Sequence, residues 1–211
     1  MRICSLERID STQRYLTDAL KAGRLCAPVA VVAREQYAGR GSRENSWNGL
    51  EGNLFLSFAL PRSDLPDDLK LESAAIYFAY LLKEVLSEAG SELWLKWPND
   101  FYLGDRKIGG TITHLHGGDL VCGIGLNLKA APVGFATLDI NIEQGVLLTA
   151  YFAKLEKSPS WKQIFSKFQL EFEKSRACFT HNGDRKLSLE NAILCDDGAI
   201  VCNGQRIFSL R

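Results

Sequence analysis

Two polar segments carry the side chains best suited to handling phosphate and carboxylate groups. The first runs Gln36-Tyr37-Ala38-Gly39-Arg40-Gly41-Ser42-Arg43-Glu44-Asn45-Ser46-Trp47. Glycines on both sides of an arginine let the backbone approach a ligand, so that N–H groups can face an anion. Arg40 and Arg43 offer forked donors to phosphate or carboxylate oxygens, and Trp47 is a plane on which a heterocycle can stack. The spacing fits neither a Walker A loop nor Gly-x-Gly-x-x-Gly.

The second segment is Lys96-Trp97-Pro98-Asn99-Asp100, followed by Lys107-Ile108-Gly109-Gly110. Pro98 is expected to fix the chain at a strand end and present Asn99 and Asp100 outward. Adjacent oxygen ligands suit Mg²⁺ carrying a nucleotide; the same pair also makes an ordinary turn. Lys107 would return along a hairpin as a point charge for phosphate or carboxylate oxygens. A third run, Gly123-Ile124-Gly125-Leu126-Asn127, strips side chains from one strand face and ends on a residue with both donors and acceptors. Glycines so placed can also mark a bulge. His114 and His116 share a strand face with no third metal ligand evident nearby, and read as a polar face. No nucleophile elbow and no Cys/His pairing is present.

These groups need a scaffold, and the hydrophobic pattern supplies one. Residues 3–9 read as a strand, Asp10-Ser11-Thr12 as helix N-cap chemistry, and Tyr15, Leu16, Ala19 and Leu20 as a helical face. Strands are expected at 28–33, 53–60, 93–95, 101–103, 107–115 and 119–128, with the last three joined by hairpins. Helices are expected at 69–89, 144–157 and 161–178. Residues 36–52 read as a long polar loop, of a length that is usually functional or mobile. Beyond about residue 181 the chain changes to short apolar runs punctuated by Asp197-Gly198 and Asn203-Gly204, strong hairpin signals. The expected fold is α+β, with a main unit at 1–180 and a small β unit at 181–211.

Lys+Arg 25 against Asp+Glu 25 gives zero formal charge over 211 residues, a poor balance for sequence-blind nucleic-acid binding. The six cysteines lack a Cys-x-x-Cys pair, and no apolar run reaches the roughly 18 residues of a membrane span. A reduced, cytoplasmic chain without a secretory leader is expected.

Taken together and in this order, the motifs resemble the biotin protein ligases over nearly the whole chain. Lys-Trp-Pro-Asn-Asp followed by Lys-x-x-Gly is the most specific part; Asp10-Ser11-Thr12, the Gly39-Arg40-Gly41 loop ending at Trp47, and Gly123 to Asn127 support it. The resemblance implies a class II synthetase-like mixed sheet with helices and a small SH3-like C-terminal barrel, here a short one. It also implies ATP-dependent activation of biotin to biotinyl-5′-AMP with Mg²⁺, and transfer to a lysine of a biotin carboxyl carrier domain.

Carried over, Ser11, Thr12 and Gln36 would bind the ureido end of biotin, with Gln13 standing where the family often has Asn. Arg40, Gly41 and Ser42 would cover biotin and the adenylate phosphate, and Arg43 would add a cation there. Lys107 would contact the carboxylate and then the acyl-phosphate, with Arg40 as a second catalytic cation. Asn99 and Asp100 would organise Mg²⁺ and ATP, Trp47 would pack on adenine, and Asn127 would bond its edge. Gly110, Gly123 and Gly125 would shape the pocket. Ser42 and Asn45 replace arginines common in the family, which implies a leakier adenylate or weaker biotin affinity. The signature begins at Asp10, so neither a preceding DNA-binding unit nor operator binding is expected; a homodimer is possible for this family. A lipoate ligase would show an Arg-Arg-x-Ser-Gly-Gly-Gly loop, absent here, and a catalytically silent biotin sensor would not need Asp100 and Lys107.

Overall fold

The two most apolar runs of the first sixty residues, VAVVAREQ and LFLSFALP, become neighbouring strands with both faces covered. In the computed structural model, which describes residues 1–41, 46–47, 49–182 and 185–208, they are β2 (Val29–Gln36) and β5 (Leu54–Pro61). The other strands of the main sheet are β1 (Arg2–Ile9), β6 (Trp94–Lys96), β7 (Asp100–Leu103), β8 (Arg106–His116) and β9 (Asp119–Leu126). Their order is β1-β2-β5-β9-β8-β7-β6. The β1–β2 pair is parallel and is bridged by α1 (Thr12–Lys21); β2–β5, β5–β9, β9–β8, β8–β7 and β7–β6 are antiparallel. The expected mixed α+β sheet is therefore present.

Side-chain alternation divides the sheet into two faces. Leu54, Leu56 and Phe58 of β5 and Cys122, Ile124 and Leu126 of β9 join the large core beneath α2 (Ala74–Glu88), α3 (Gln144–Glu156) and α4 (Trp161–Ser175). Eleven of the fifteen α2 residues are buried, so this helix is central rather than a surface amphipath. It starts later than expected: Leu71–Ser73 forms a 3-10 turn first. The opposite face is covered at one end by α1, where Leu16 and Ala19 pack on Val29, Val31, Ala59 and Val121. The remainder of that face is where the glycines stand.

Sharp hairpins connect the strands as expected. Gly104 (φ 54°) and Gly117 (φ 60°) turn β7 into β8 and β8 into β9. Between 36 and 52, expected to be loop throughout, β3 (Gly39–Arg40) pairs with β4 (Ser46–Trp47). Ser42, Arg43 and Asn45 lie outside the described residues, as does the side chain of Arg40.

After α4 come a hairpin of β10 (Phe179–Asn182) with β11 (Arg185–Ser188), then a three-stranded sheet of β12 (Ile193–Leu194), β13 (Ile200–Cys202) and β14 (Gln205–Ile207). The expected boundary at 181 falls inside β10. At Asn203-Gly204 both turn residues take positive φ, 49° and 73°, as the dipeptide implies. Leu189, Ala192, Ile200, Cys202 and Ile207 complete the large core. Three side chains clamp the β12–β13 loop by its carbonyls: Ser73 Oγ on Asp197, Trp97 Nε1 on Gly198 and Trp161 Nε1 on Asp196.

Asp197 anchors that loop from its own side. Its buried carboxylate accepts from Arg206 Nη2 at 2.6 Å and from the Ala199 N–H at 3.1 Å. Burial pushes its pKa up, but the hydrogen bonds from Arg206 and Ala199 outweigh that and hold it below 3.8. A depressed folded-state pKa contributes stability above the unfolded value, lost as pH falls through the folded one. Asp197→Asn is expected to lower Tm by about 2–6 °C at neutral pH. The gap to the native protein should close on acidification below pH 4; melts at stepped pH that show a constant gap would disprove this linkage.

Candidate active site

The stretch of sheet that α1 leaves uncovered forms a cleft of about 510 Å³, including its open mouth. Its floor is set by register. Ser57, Gly123 and Ile112 stand in one row across β5, β9 and β8; Phe55, Gly125, Gly110 and Asp100 stand in the next, which extends to β7. Two glycines in the middle of β9 thus remove the side chains that would otherwise fill the site.

The N-terminus of α1 closes one end. Ser11 caps the helix, its hydroxyl accepting from the Arg14 N–H, and Thr12 and Gln13 follow on the first turn. Gln36 Oε1 accepts from the Thr12 N–H at 2.9 Å and from Thr12 Oγ1 at 3.1 Å, and Thr12 Oγ1 also bonds Ser57 Oγ at 2.9 Å. Because Gln36 Oε1 is committed inward, its NH₂ is left for the space beside Gly39, where a Cβ could not fit. Ser57 was not expected from sequence; a lone serine within a strand that is otherwise apolar was the available signal.

The other end holds Asn99, Asp100 and Lys107. Lys107 Nζ donates to Asp100 Oδ1 at 2.6 Å. A β-bulge makes this pair possible: Asp100 pairs with Gly110 and Phe101 with Gly109, but Tyr102 then pairs with Lys107. Ile108 consequently points into the large core, and Lys107 is turned to the cleft face. Asn99, expected to face outward, is 4% exposed; its Nδ2 donates to the Thr111 carbonyl, while the residue still lines the cleft. Burial of Trp97, which packs 1% exposed under the C-terminal loop, draws Asn99 inward.

Trp47 arrives on β4 and lies against Gly125, where a β-carbon would stand only 2.7 Å from Trp47 Cε2. Among the described residues its buried Nε1–H finds no acceptor. An unpaired buried donor beside an open cleft is one a ligand can satisfy.

Of the residues expected at the site, Ser11, Thr12, Gln13, Gln36, Gly41, Trp47, Asn99, Asp100, Lys107, Gly110, Gly123 and Gly125 line this one cleft. Asn127 does not. It is 1% exposed, donating to the Ala136 carbonyl at 3.2 Å and accepting from Asn53 Nδ2 at 3.4 Å. With Asn53, which accepts from the Lys129 and Ala130 N–H groups, it braces the segment that follows β9. This bracing uses one donor and one acceptor of the Asn127 amide and leaves one of each, so its contact with a purine edge stands as a proposal. Ser42 and Arg43 lie outside the described residues.

Comparison with known proteins places this cleft in context. Residues 5–129 match the Biotin/lipoate A/B protein ligase family. The bifunctional ligase/repressor BirA of Escherichia coli is 33% identical over 170 residues, covering 72% of this chain and 52% of that protein. The biotin–[acetyl-CoA-carboxylase] ligase of Paracoccus denitrificans is 34% identical over 134 residues, 60% of this chain and 55% of that protein. The chain therefore spans about half the length of these curated relatives. Among solved structures, the biotin acetyl coenzyme A carboxylase synthetase of Helicobacter pylori, with bound biotinylated ATP, superposes with a TM-score of 0.94 at 41% identity. That match covers 98% of this chain and 99% of the other.

Proposed function

The chain belongs to the biotin/lipoate A/B protein ligase family, and from that premise we propose that it activates biotin with ATP to biotinyl-5′-AMP and passes the biotinyl group to a lysine of a biotin carboxyl carrier domain. The observation that carries this reading is the meeting, in one cleft, of a polar end and a charged end across a glycine floor. The polar end, Ser11, Thr12, Gln13 and Gln36, offers alternating donors and acceptors suited to a ureido group. The charged end, Asp100 and Lys107, suits a carboxylate that must meet a phosphate. The apolar stretch between them, with Ile112 and Trp47, suits the ring and aliphatic chain of biotin.

No enzyme nucleophile is needed. A biotin carboxylate oxygen attacks the α-phosphorus of ATP, forming the acyl–phosphate bond as pyrophosphate leaves. The acceptor amine then attacks the acyl carbon, releasing AMP and losing its proton. What the chain supplies is alignment of two anions and neutralisation of their mutual repulsion. Lys107 does the latter at the point where carboxylate and phosphate converge. Trp47 and the β3–β4 ribbon cover the site and limit access of water to the anhydride.

Mg²⁺ fits the charged end. An ion carried on nucleotide phosphates needs only one or two protein oxygens, and Asp100, with the amide oxygen of Asn99, would provide them. Bound there it would offset phosphate charge. Incubating the protein with biotin, ATP and Mg²⁺, with and without a carrier domain, and weighing the carrier tests the whole reading. A gain of one biotinyl group that depends on ATP is expected. A carrier that gains nothing, or gains lipoyl in preference when both acids compete, would overturn it.

A further inference from the structure

His114 lies on β8, behind the cleft, and bonds two residues of α1. The direction of each bond can be worked out from proton counts. Thr17 Oγ1 donates its single proton to the Gln13 carbonyl at 2.8 Å. Toward His114 Nε2, 3.4 Å away, the same hydroxyl can then only accept, so the hydrogen of the neutral ring sits on Nε2. Nδ1 is left bare, and Gln13 Nε2, at 3.0 Å, donates to it. The Gln13 amide is thereby oriented: its NH₂ faces the imidazole, and its Oε1 turns toward Gly123 on the cleft floor, 3.4 Å from where a Cβ would stand.

We propose that His114 is a positioning residue that fixes which end of the Gln13 amide the ligand meets, presenting an acceptor to ligand N–H groups while the ring is neutral. The inference rests on the ligand being biotin, whose ureido ring offers N–H donors at that end. When the imidazole is protonated both of its nitrogens are donors, and an NH₂ can no longer face Nδ1. The amide turns over, its oxygen goes to His114, and its NH₂ enters the cleft against the ligand's own N–H. Affinity therefore falls on protonation.

The surroundings favour the neutral ring. Burial lowers the His114 pKa below 6.5, and His116 on the same strand and Lys21 on α1 lower it further. Across the sheet β9 places Val121 opposite His114, and Asp119 opposite His116. Biotin affinity should thus be constant above neutrality and decline as the pH drops below 6.5.

The test is calorimetric titration of the full chain with biotin between about pH 5.5 and 8, with melts to establish folding. The native protein should lose affinity toward the acid end, by less than about tenfold at pH 5.5 because a ring held below its ordinary pKa is only partly protonated there. His114→Glu supplies an acceptor and no donor, so it should bind like the native protein at pH 7.5 and stay flat to pH 6.5. His114→Lys supplies only donors and should be about tenfold weaker at every pH. In a Gln13→Ala background the two substitutions should become equivalent. A merely structural role for His114 would weaken the Glu and Lys variants alike. That result, or a flat native profile, overturns the proposal while leaving the ligase reading intact; absence of biotin binding at any pH removes both.

Discussion

Replacing Lys107 with alanine is expected to slow adenylate formation by about 10²–10³-fold, with little change in Tm. The side chain is partly exposed and has Asp100 Oδ1 as its bonded partner, 2.6 Å away. Its loss therefore leaves the apolar core untouched. The electrostatic consequence is larger than the loss of one contact. With the ammonium gone, Asp100 becomes an uncompensated anion at the point where a carboxylate and a triphosphate must converge, so attraction is replaced by repulsion. Lys107→Arg keeps the charge but replaces a compact ammonium with a planar fork, and should restore part of the rate. Pyrophosphate release reports the first step, and single-turnover transfer from supplied biotinyl-AMP reports the second. Both should fall, because in the proposed reading the same cation faces the acyl-phosphate in each. Rates within threefold of native in the alanine variant would remove Lys107 from the chemistry.

That pair was legible in sequence only as two residue types seven positions apart. The carboxylate and amine could be named, and the hairpin between them placed at Gly104, because turn chemistry and strand alternation are local signals. The bulge that turns Lys107 to the cleft was not legible. Strict alternation would put Lys107 on the same face as Gly109, and only tertiary packing of Ile108 into the large core overrides it. The fates of Asn99 and Asn127 were hidden for the same reason. An amide looks identical in sequence whether it faces a ligand or a carbonyl, and the partner that occupies Asn127, Asn53, stands 74 positions earlier. The Gln13–His114 bond spans 101 positions and joins a residue read as a ligand contact to one read as an ordinary polar face. By contrast, the alternation of Gly123 and Gly125 was visible as a strand face without side chains, and both line the cleft, although glycines so placed can equally mark a bulge. The mixed sheet was legible because its central strands are nearly all apolar and its helices long and periodic.

Gly125→Val tests that floor, and it separates the site from the fold. Valine is a good strand residue, and at this position in β9 its neighbours across the sheet are Phe55 and Gly110. The backbone has no objection to it. The obstacle is Trp47, whose Cε2 and Nε1 lie 2.7 and 2.9 Å from where the new Cβ would be. The indole must leave, or the strand must shift; overpacking of this kind costs about 1–3 kcal/mol. The indole is the easier to move, because β4 is held by a two-residue ribbon while β9 is bonded on both sides. Since the valine also projects into the volume a ligand would fill, biotin affinity should drop by about 10- to 100-fold. Secondary structure should hold, and Tm should fall by several degrees at most. Expulsion of Trp47 should appear as a red-shifted tryptophan emission that is absent when Trp47→Phe is the starting protein. Adding Trp47→Ala to Gly125→Val gives back room but not the aromatic wall, so affinity should recover in part and never fully. Full recovery would mean that Trp47 only obstructs the cleft and makes no contact with the bound ligand.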